Sequence, residues 1–352
     1  MITFNPGPSQ LSPLIRDAIQ RIAMSDFLSL SHRSPEFTEF FHDLLIRFKT
    51  VFRILESYFL FFVLSAIAAM SILIGNLVED QCTHFVHGAF SKRFAQTGEA
   101  MGRKVQAIIT DPEVPVNWRD HQPQKGTEMI AVTHNETSTG LMWPLHEISE
   151  LNQAFPNALL AVDVTSSFGA IPFHIPDADA WFGSVQKVLG LPAGLGFMVL
   201  SPRAMEKARS KKDMKVSGWM NLKILEEKYR KAQTFETPNA LHLKLLDEQL
   251  VNWDLDDSFR LTMRKSKQMV SALTQAPMNW NPFIVEPHWR SLTVGCFNVD
   301  RPQYWHETAR KHGFILGKGY GAWKNQCIRI ANFPALTADH FQMLFYSLRK
   351  AG

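Results

Sequence analysis

The run of residues 58–78, YFLFFVLSAIAAMSILIGNLV, carries no charge over 21 positions. Such a run has to leave water, either into a bilayer or into a protein interior. Its length is close to the ~20 residues that cross a membrane as a helix. Its composition, however, divides in two. Phe and Val dominate positions 58–64, as in a buried strand, whereas Ala, Met, Leu and Ile from about Ala66 onward suit a helix. Lys and Arg do not flank the run in a clear positive-inside pattern. A membrane crossing and a buried strand–turn–helix unit are both open on this segment alone, and the surrounding chain has to decide.

A chain of 352 residues with 45% hydrophobic and 20% charged side chains can bury a substantial core, in two domains or one large one. That composition excludes disordered, collagen-like and disulfide-scaffold proteins. The excess of 37 Lys and Arg over 33 Asp and Glu is spread along the chain, so no nucleic-acid footprint is expected. The basic stretch 207–215 reads as a solvated helix end. Cys82, Cys296 and Cys327 are far apart and odd in number, as expected of reduced thiols in a cytoplasmic protein. The opening MITFNPGPSQ has no basic region followed by an apolar one, so no secretory signal is expected. Cys82, His84 and His87 have ligand-like spacing. On a strand, though, alternation turns His87 away from the other two, and no metal is expected.

Ser12-Pro13 and Ser34-Pro35 each read as an N-cap followed by Pro at the first helical position. After an opening loop they start helices over 13–23 and from residue 35 onward. Phe37, Phe40, Phe41, Leu44, Leu45, Phe48, Val51 and Phe52 share one face of the second helix. Strand-like pieces then follow at 105–109, 129–133, 159–164 and 196–200. Helices are read over 145–155 and from Pro202. This alternation predicts an α/β domain with a mostly parallel sheet. Beyond about residue 250 the order becomes helix (257–275), strand (291–299), helix (303–311), strands at 314–316 and 327–331, and a last helix over 338–348. That is a small α+β domain. The chain thus divides into an N-terminal segment 1–12, a large domain 13–250 and a small domain 251–352.

The chemistry concentrates between residues 160 and 196. Asp163 ends an apolar strand, where open α/β sheets build their ligand sites. Lys187 follows in Ser184-Val185-Gln186-Lys187, hemmed by small and apolar residues. Such a lysine is a candidate for a lowered pKa and Schiff-base chemistry, and an aspartate in the same site can hold a pyridinium nitrogen protonated. Upstream, the segment 132–140 gathers hydroxyl and amide groups between a strand and a helix. Gly88-Ala89-Phe90-Ser91 offers an aromatic ring just after another strand.

In this order these motifs resemble the phosphoserine aminotransferases of the class V, fold-type I, pyridoxal-phosphate-dependent family. The resemblance runs from Asn5-Pro6-Gly7-Pro8 through Ser31-His32-Arg33, Gly88-Ala89-Phe90-Ser91, Asn135-Glu136-Thr137 and Asp163 with Ser166-Ser167. It continues through Gln186-Lys187 and Thr237-Pro238 to Arg329. It implies a fold-type I transferase, with a large α/β domain on a mostly parallel seven-stranded sheet and a small C-terminal α+β domain. It also implies pyridoxal 5′-phosphate as cofactor and amino-acid and 2-oxo-acid substrates. The amino group would pass from glutamate to 3-phosphohydroxypyruvate in a ping-pong cycle through a Lys187 Schiff base. Asp163 would pair with the pyridine nitrogen and Phe90 would stack on the ring, where the family often has Trp. Thr137 would bond the cofactor and Gln186 would sit beside its phosphate. Thr237 would reach that phosphate from the other subunit of a homodimer. Arg329 would hold the substrate α-carboxylate, with His32 and Arg33 facing its distal anion.

Two places depart from the family pattern. The phosphate cup, which commonly carries a hydroxyl, reads Leu64-Ser65-Ala66-Ile67-Ala68 here. Ser65, Ala66 and Ile67 would then bind phosphate mainly through backbone N–H groups. The loop before Arg329 reads Gly317-Lys318-Gly319-Tyr320-Gly321, where better-known members carry a His-Arg pair. Another class V transaminase, of the alanine–glyoxylate or serine–pyruvate type, and a non-catalytic descendant are the alternatives. Because motifs lie in order on both sides of residues 58–78, a membrane crossing there would split one active site. The buried strand and helix are therefore expected.

Overall fold

The computed structural model describes residues 1–211 and 216–350. Positions 212–215 of the basic stretch and the last two residues of the small domain lie outside the described residues. In chain order the elements begin with β1 (Ile2–Phe4), α1 (Pro13–Ala23), α2 (Pro35–Val51), β2 (Phe59–Val63), α3 (Ala66–Leu77), β3 (Gln81–Val86), α4 (Ala89–Ala100) and β4 (Lys104–Ile109). They continue with β5 (Met129–Thr133), β6 (Asn135–Glu136), β7 (Leu141–Met142), α5 (Leu145–Ala154), β8 (Leu159–Asp163), β9 (Ala180–Ser184), β10 (Gly196–Leu200) and α6 (Pro202–Ser210). The rest are α7 (Leu222–Tyr229), α8 (Ala240–Leu250), α9 (Leu255–Thr274), β11 (Asn281–Pro282), β12 (Val294–Asn298), α10 (Pro302–Lys311), β13 (Phe314–Lys318), β14 (Cys327–Ala331) and α11 (Ala338–Arg349).

Seven strands form one sheet in the order β2-β10-β9-β8-β5-β3-β4. Only β10 runs against its two neighbours; the other pairings are parallel. Six strands therefore end on the same edge. Helices cover both faces, as a mostly parallel sheet requires. On one face Phe37, Phe41, Leu44 and Phe48 of α2 pack with Leu60, Val162 and Phe197 of the strands. On the other, α3 and α6 pack on Phe61, Ala131, Ala161 and Met198.

The uncharged run resolves into β2 and α3, joined at Ser65, whose hydroxyl accepts from Ala68 N–H at 3.1 Å and caps the helix. Nine of the twelve α3 residues are buried. A helix with almost no solvent face has no place for charges, which accounts for its composition. Among the described residues no helix is long and apolar enough to cross a membrane.

Ser12 and Ser34 cap α1 and α2 as their Ser-Pro pairs imply, each accepting an N–H three residues on. The opening segment differs from the loop expected. Ile2–Phe4 forms an edge strand beside β13, in a second sheet ordered β1-β13-β14-β12-β11. Three residues are too few for a period to show, and the strand exists because Phe4 is fully buried against Phe314 and Phe341 of the C-terminal core. Strand β9, which carries the chain to Lys187, also has no alternating pattern. It is buried on both faces, so its sequence Ala-Trp-Phe-Gly-Ser contains no polar face to mark it.

Candidate active site

The common edge of the parallel strands gathers the residues that the sequence singled out. The chain leaves β2 at Ser65, β3 at Gly88, β5 toward Thr137, β8 at Asp163 and β9 toward Lys187. Lys187 is buried. Its Nζ donates to Thr137 Oγ1 at 2.6 Å and to Ser166 Oγ at 2.8 Å, and these two hydroxyls bond each other. The same nitrogen lies 4.8 Å from the centre of the Phe90 ring in the first turn of α4. Burial pulls the amine down to about 8, against the opposing charges of Asp163 and Glu136 and with the help of Arg329. A lysine so placed is far more available as a neutral nucleophile and base than one in water.

Asp163 is also buried. One carboxylate oxygen accepts from Thr165 N–H at 2.8 Å and from Thr165 Oγ1 at 2.6 Å. Loss of water raises its pKa; the Thr165 bonds and Lys187 hold it down, while Glu136 pushes it up. Arg329 projects from β14 of the second sheet. It donates from Nε to Lys318 O at 2.7 Å and from Nη1 to Thr137 O at 2.9 Å. No protein acceptor takes Nη2 among the described residues, so the fork keeps donors for a carboxylate. Tyr320 lies between the two halves of the site, its ring 5.4 Å from that of Phe90 and 5.4 Å from the Arg329 guanidinium carbon. Lys318 contributes its carbonyl to Arg329, and His306 of α10 is pushed down by burial and, less, by the charge of Lys318.

At the cup, Ala66 N–H donates to Ser184 Oγ at 2.7 Å. Within the 64–68 turn the Ser65 hydroxyl is taken up by capping α3, so a second hydroxyl, from β9, stands beside the helix start. Ile67 projects outward, half exposed, and its amide has no protein acceptor among the described residues. Gln186 follows Ser184, and its carbonyl accepts from Ser9 N–H at 2.9 Å.

His32, Arg33 and Thr237 do not join this cluster within one chain. Arg33 donates to Gln233 Oε1 at 3.1 Å and to Phe235 O at 3.3 Å, which pins the loop that leads to the exposed Thr237. The half-buried His32 is pushed down by burial and by Arg33. Cys82 and His84 share a strand face, with His84 Nε2 at 3.3 Å from Cys82 Sγ, while His87 turns to Thr133 O at 3.1 Å.

Four residues of the site carried no assigned role: Glu136, Thr165, Ser166 and Ser184. Thr165 and Ser166 had a visible signal, since they directly follow Asp163 in the hydroxyl-rich turn Thr165-Ser166-Ser167. Ser184 had none, because its role comes from lying beside Gly196 and the α3 start in the sheet.

This donor set fits pyridoxal phosphate. A buried amine of low pKa faces an aromatic ring, a buried carboxylate ends the neighbouring strand, and a helix N-terminus with a serine hydroxyl stands at the side where an anionic arm binds. The comparisons agree. The family model for aminotransferase class-V matches residues 82–303, more than half of the chain. A phosphoserine aminotransferase of Corynebacterium glutamicum (strain R) is 26% identical over 97% of this chain and 92% of its own. The solved structure of a phosphoserine aminotransferase from Cytophaga hutchinsonii superposes with a TM-score of 0.95 at 30% identity, covering 99% of this chain and 98% of that one. An alanine–glyoxylate aminotransferase from Nostoc sp. shares the fold, with a TM-score of 0.85 at 22% identity over 99% and 94% of the two chains. With Lys187, Asp163, Phe90 and Arg329 gathered at one strand edge, the chain belongs to the class-V aminotransferases, which depend on pyridoxal phosphate.

Proposed function

We propose that this chain transfers the amino group of glutamate to 3-phosphohydroxypyruvate, giving O-phosphoserine. The observation that carries the reading is the double role of Thr137. Its hydroxyl holds the Lys187 amine at 2.6 Å and its carbonyl holds the Arg329 guanidinium at 2.9 Å. A carboxylate seated on Arg329 therefore brings its α-carbon to the amine in a fixed relation. The naming of the relatives above supports a phosphorylated substrate.

When bound, pyridoxal phosphate supplies an electron sink for charge developing at the substrate α-carbon. Asp163 would hold a proton on the ring nitrogen, and the two Thr165 hydrogen bonds favour its carboxylate form against the loss of water that raises its pKa. Phe90 backs the ring. Lys187 Nζ would take the proton from the substrate α-carbon and return it on the other side of the transfer. Its lowered pKa suits both directions near neutral pH. The amides of Ser65 and Ile67, with Gln186, would take the phosphate, and the Ala66 amide would join them on releasing Ser184 Oγ. Thr237 of the partner subunit completes that cup, and His32 and Arg33 meet the distal anion of the substrate. On this reading the active form is a cytoplasmic homodimer.

The test is the visible spectrum of the purified protein. Yellow absorbance should bleach with glutamate and return with 3-phosphohydroxypyruvate. Recovery with glyoxylate or pyruvate alone would move the chain to an alanine–glyoxylate or serine–pyruvate type. Protein that stays colourless in excess pyridoxal phosphate would make it a non-catalytic descendant.

A further inference from the structure

Glu136 is fully buried and has no ion-pair partner among the described residues. Its carboxylate is instead ringed by donors. Phe90 N–H reaches its two oxygens at 3.2 and 3.1 Å, and Ser91 N–H and Ser91 Oγ donate to Oε2 at 2.9 and 3.0 Å. Ser138 donates to Oε1 through Oγ at 2.5 Å and through N–H at 3.2 Å. The carboxylate thus sits on the N-terminal turn of α4, where the helix dipole favours negative charge. Its approach is so close that a Cβ on Gly88 would lie 2.3 Å from Glu136 Cγ.

We propose that Glu136 is a positioning residue for transamination: one carboxylate locks the Phe90 platform to the β6–β7 hairpin that presents Thr137. Phe90 faces the Lys187 amine from α4, and Thr137 binds the same amine from the hairpin. No other side chain described here bonds both α4 and that hairpin so extensively. The inference rests on the cofactor reading above. Glu136 also belongs to the charge field of the site. Lys187 faces Asp163 of β8, Glu136 of β6 and Arg329 of β14, and Glu136 in turn faces His87 at the end of β3. Its negative charge holds the Lys187 proton on, so its removal shifts the amine further below 8.

The experiment follows capture of pyridoxal phosphate by the full-length, cofactor-stripped chain, reading both Kd and the pH midpoint of the capture rate. Wild type is expected to titrate near pH 8. Glu136→Gln places an amide NH2 among donors and removes the charge, so Kd should rise at least tenfold and the midpoint should fall by half a unit or more. Ser138→Ala keeps the charge and should leave the midpoint in place. An E136Q protein with native circular dichroism, wild-type Kd and an unmoved midpoint overturns the proposal. Should E136Q fail to fold, Glu136→Asp decides: the midpoint should stay near 8 while Kd rises, and wild-type Kd overturns the proposal. Failure of the wild type itself to capture pyridoxal phosphate would instead overturn the cofactor reading.

Discussion

Lys187 and Lys265 are both buried lysines, 6% and 4% exposed, and burial brings both amines down to about 8. Their neighbourhoods separate their functions. Lys265 of α9 donates to two backbone carbonyls, Phe333 O at 3.2 Å and Leu336 O at 2.7 Å, and so fastens the turn before α11. Carbonyls only accept, and Leu336 O has no other donor among the described residues, whereas Phe333 O also takes Leu336 N–H at 3.0 Å. Lys187 instead meets two hydroxyls that already bond each other. Hydroxyls accept or donate as needed, so this amine can gain or lose its proton, or leave, without orphaning a neighbour. A perturbed pKa marks both sites; the chemistry of the partners tells the lysine proposed to be catalytic from the structural one.

The strongest test of that contrast is activity. Lys187→Ala should abolish transamination, a loss of at least about 10³-fold in kcat given what a positioned acid–base group contributes, with the far-ultraviolet circular dichroism unchanged. Lys265→Met should leave kcat within about twofold, since no group of the site contacts it. Retained turnover in the Lys187 variant would sink the mechanism.

A pH series sharpens it next. The neutral amine is the reactive form, and its fraction grows about tenfold per pH unit below the midpoint. The rate of pyridoxal phosphate capture should therefore climb about 50-fold from pH 6 to pH 8 and flatten within about a further twofold beyond. An ordinary lysine would keep climbing toward pH 10.5.

Stability should then part the two lysines. Lys187 is held at about 8 when folded and 10.5 when unfolded. Between those values the unfolded chain binds the extra proton, so stability rises with pH through that window, and below pH 8 the folded state bears the full cost. Lys187→Met removes that cost and should stabilise the cofactor-free protein at pH 7 by about 1–3 kcal/mol. Lys265→Met gains the same relief but strands the buried Leu336 carbonyl, so it should stabilise the protein less than Lys187→Met, by about 1–3 kcal/mol. Urea melts of both variants measure the difference, and a Lys265 variant stabilised as much as the Lys187 variant would break the comparison.

The smallest effect expected is that of Thr165→Val. It leaves the backbone donor to Asp163 and removes the hydroxyl, so the Asp163 pKa should rise. Affinity for pyridoxal phosphate should then fall about tenfold or less, most at acid pH, as seen in equilibrium titrations at pH 6 and pH 8.

The regular elements were legible where their signals are local. Ser-Pro caps fixed the starts of α1 and α2, and β5, β10 and β14 occupy the ranges their apolar runs predicted. Asp163 at a strand end and Lys187 after it were legible because residue type and spacing restrict what they can do. Strand β1 was not, since three residues have no period. Nor was β9, which is buried on both faces and shows no alternation.

The sequence by itself determined that residues 58–78 leave water, that strands and helices alternate, and that Lys187 and Asp163 are candidates for the chemistry. All of that depends on side-chain character and short-range spacing. The tertiary structure decided that Lys187 loses its water to Thr137 and Ser166, which lie 50 and 21 positions away in the chain. It also decided that the Ser184 hydroxyl meets Ala66 N–H across 118 positions, and that Glu136 bonds Phe90 N–H from the hairpin. Those properties come from desolvation and hydrogen bonding between distant segments, which exist only once the sheet has brought its strand ends together.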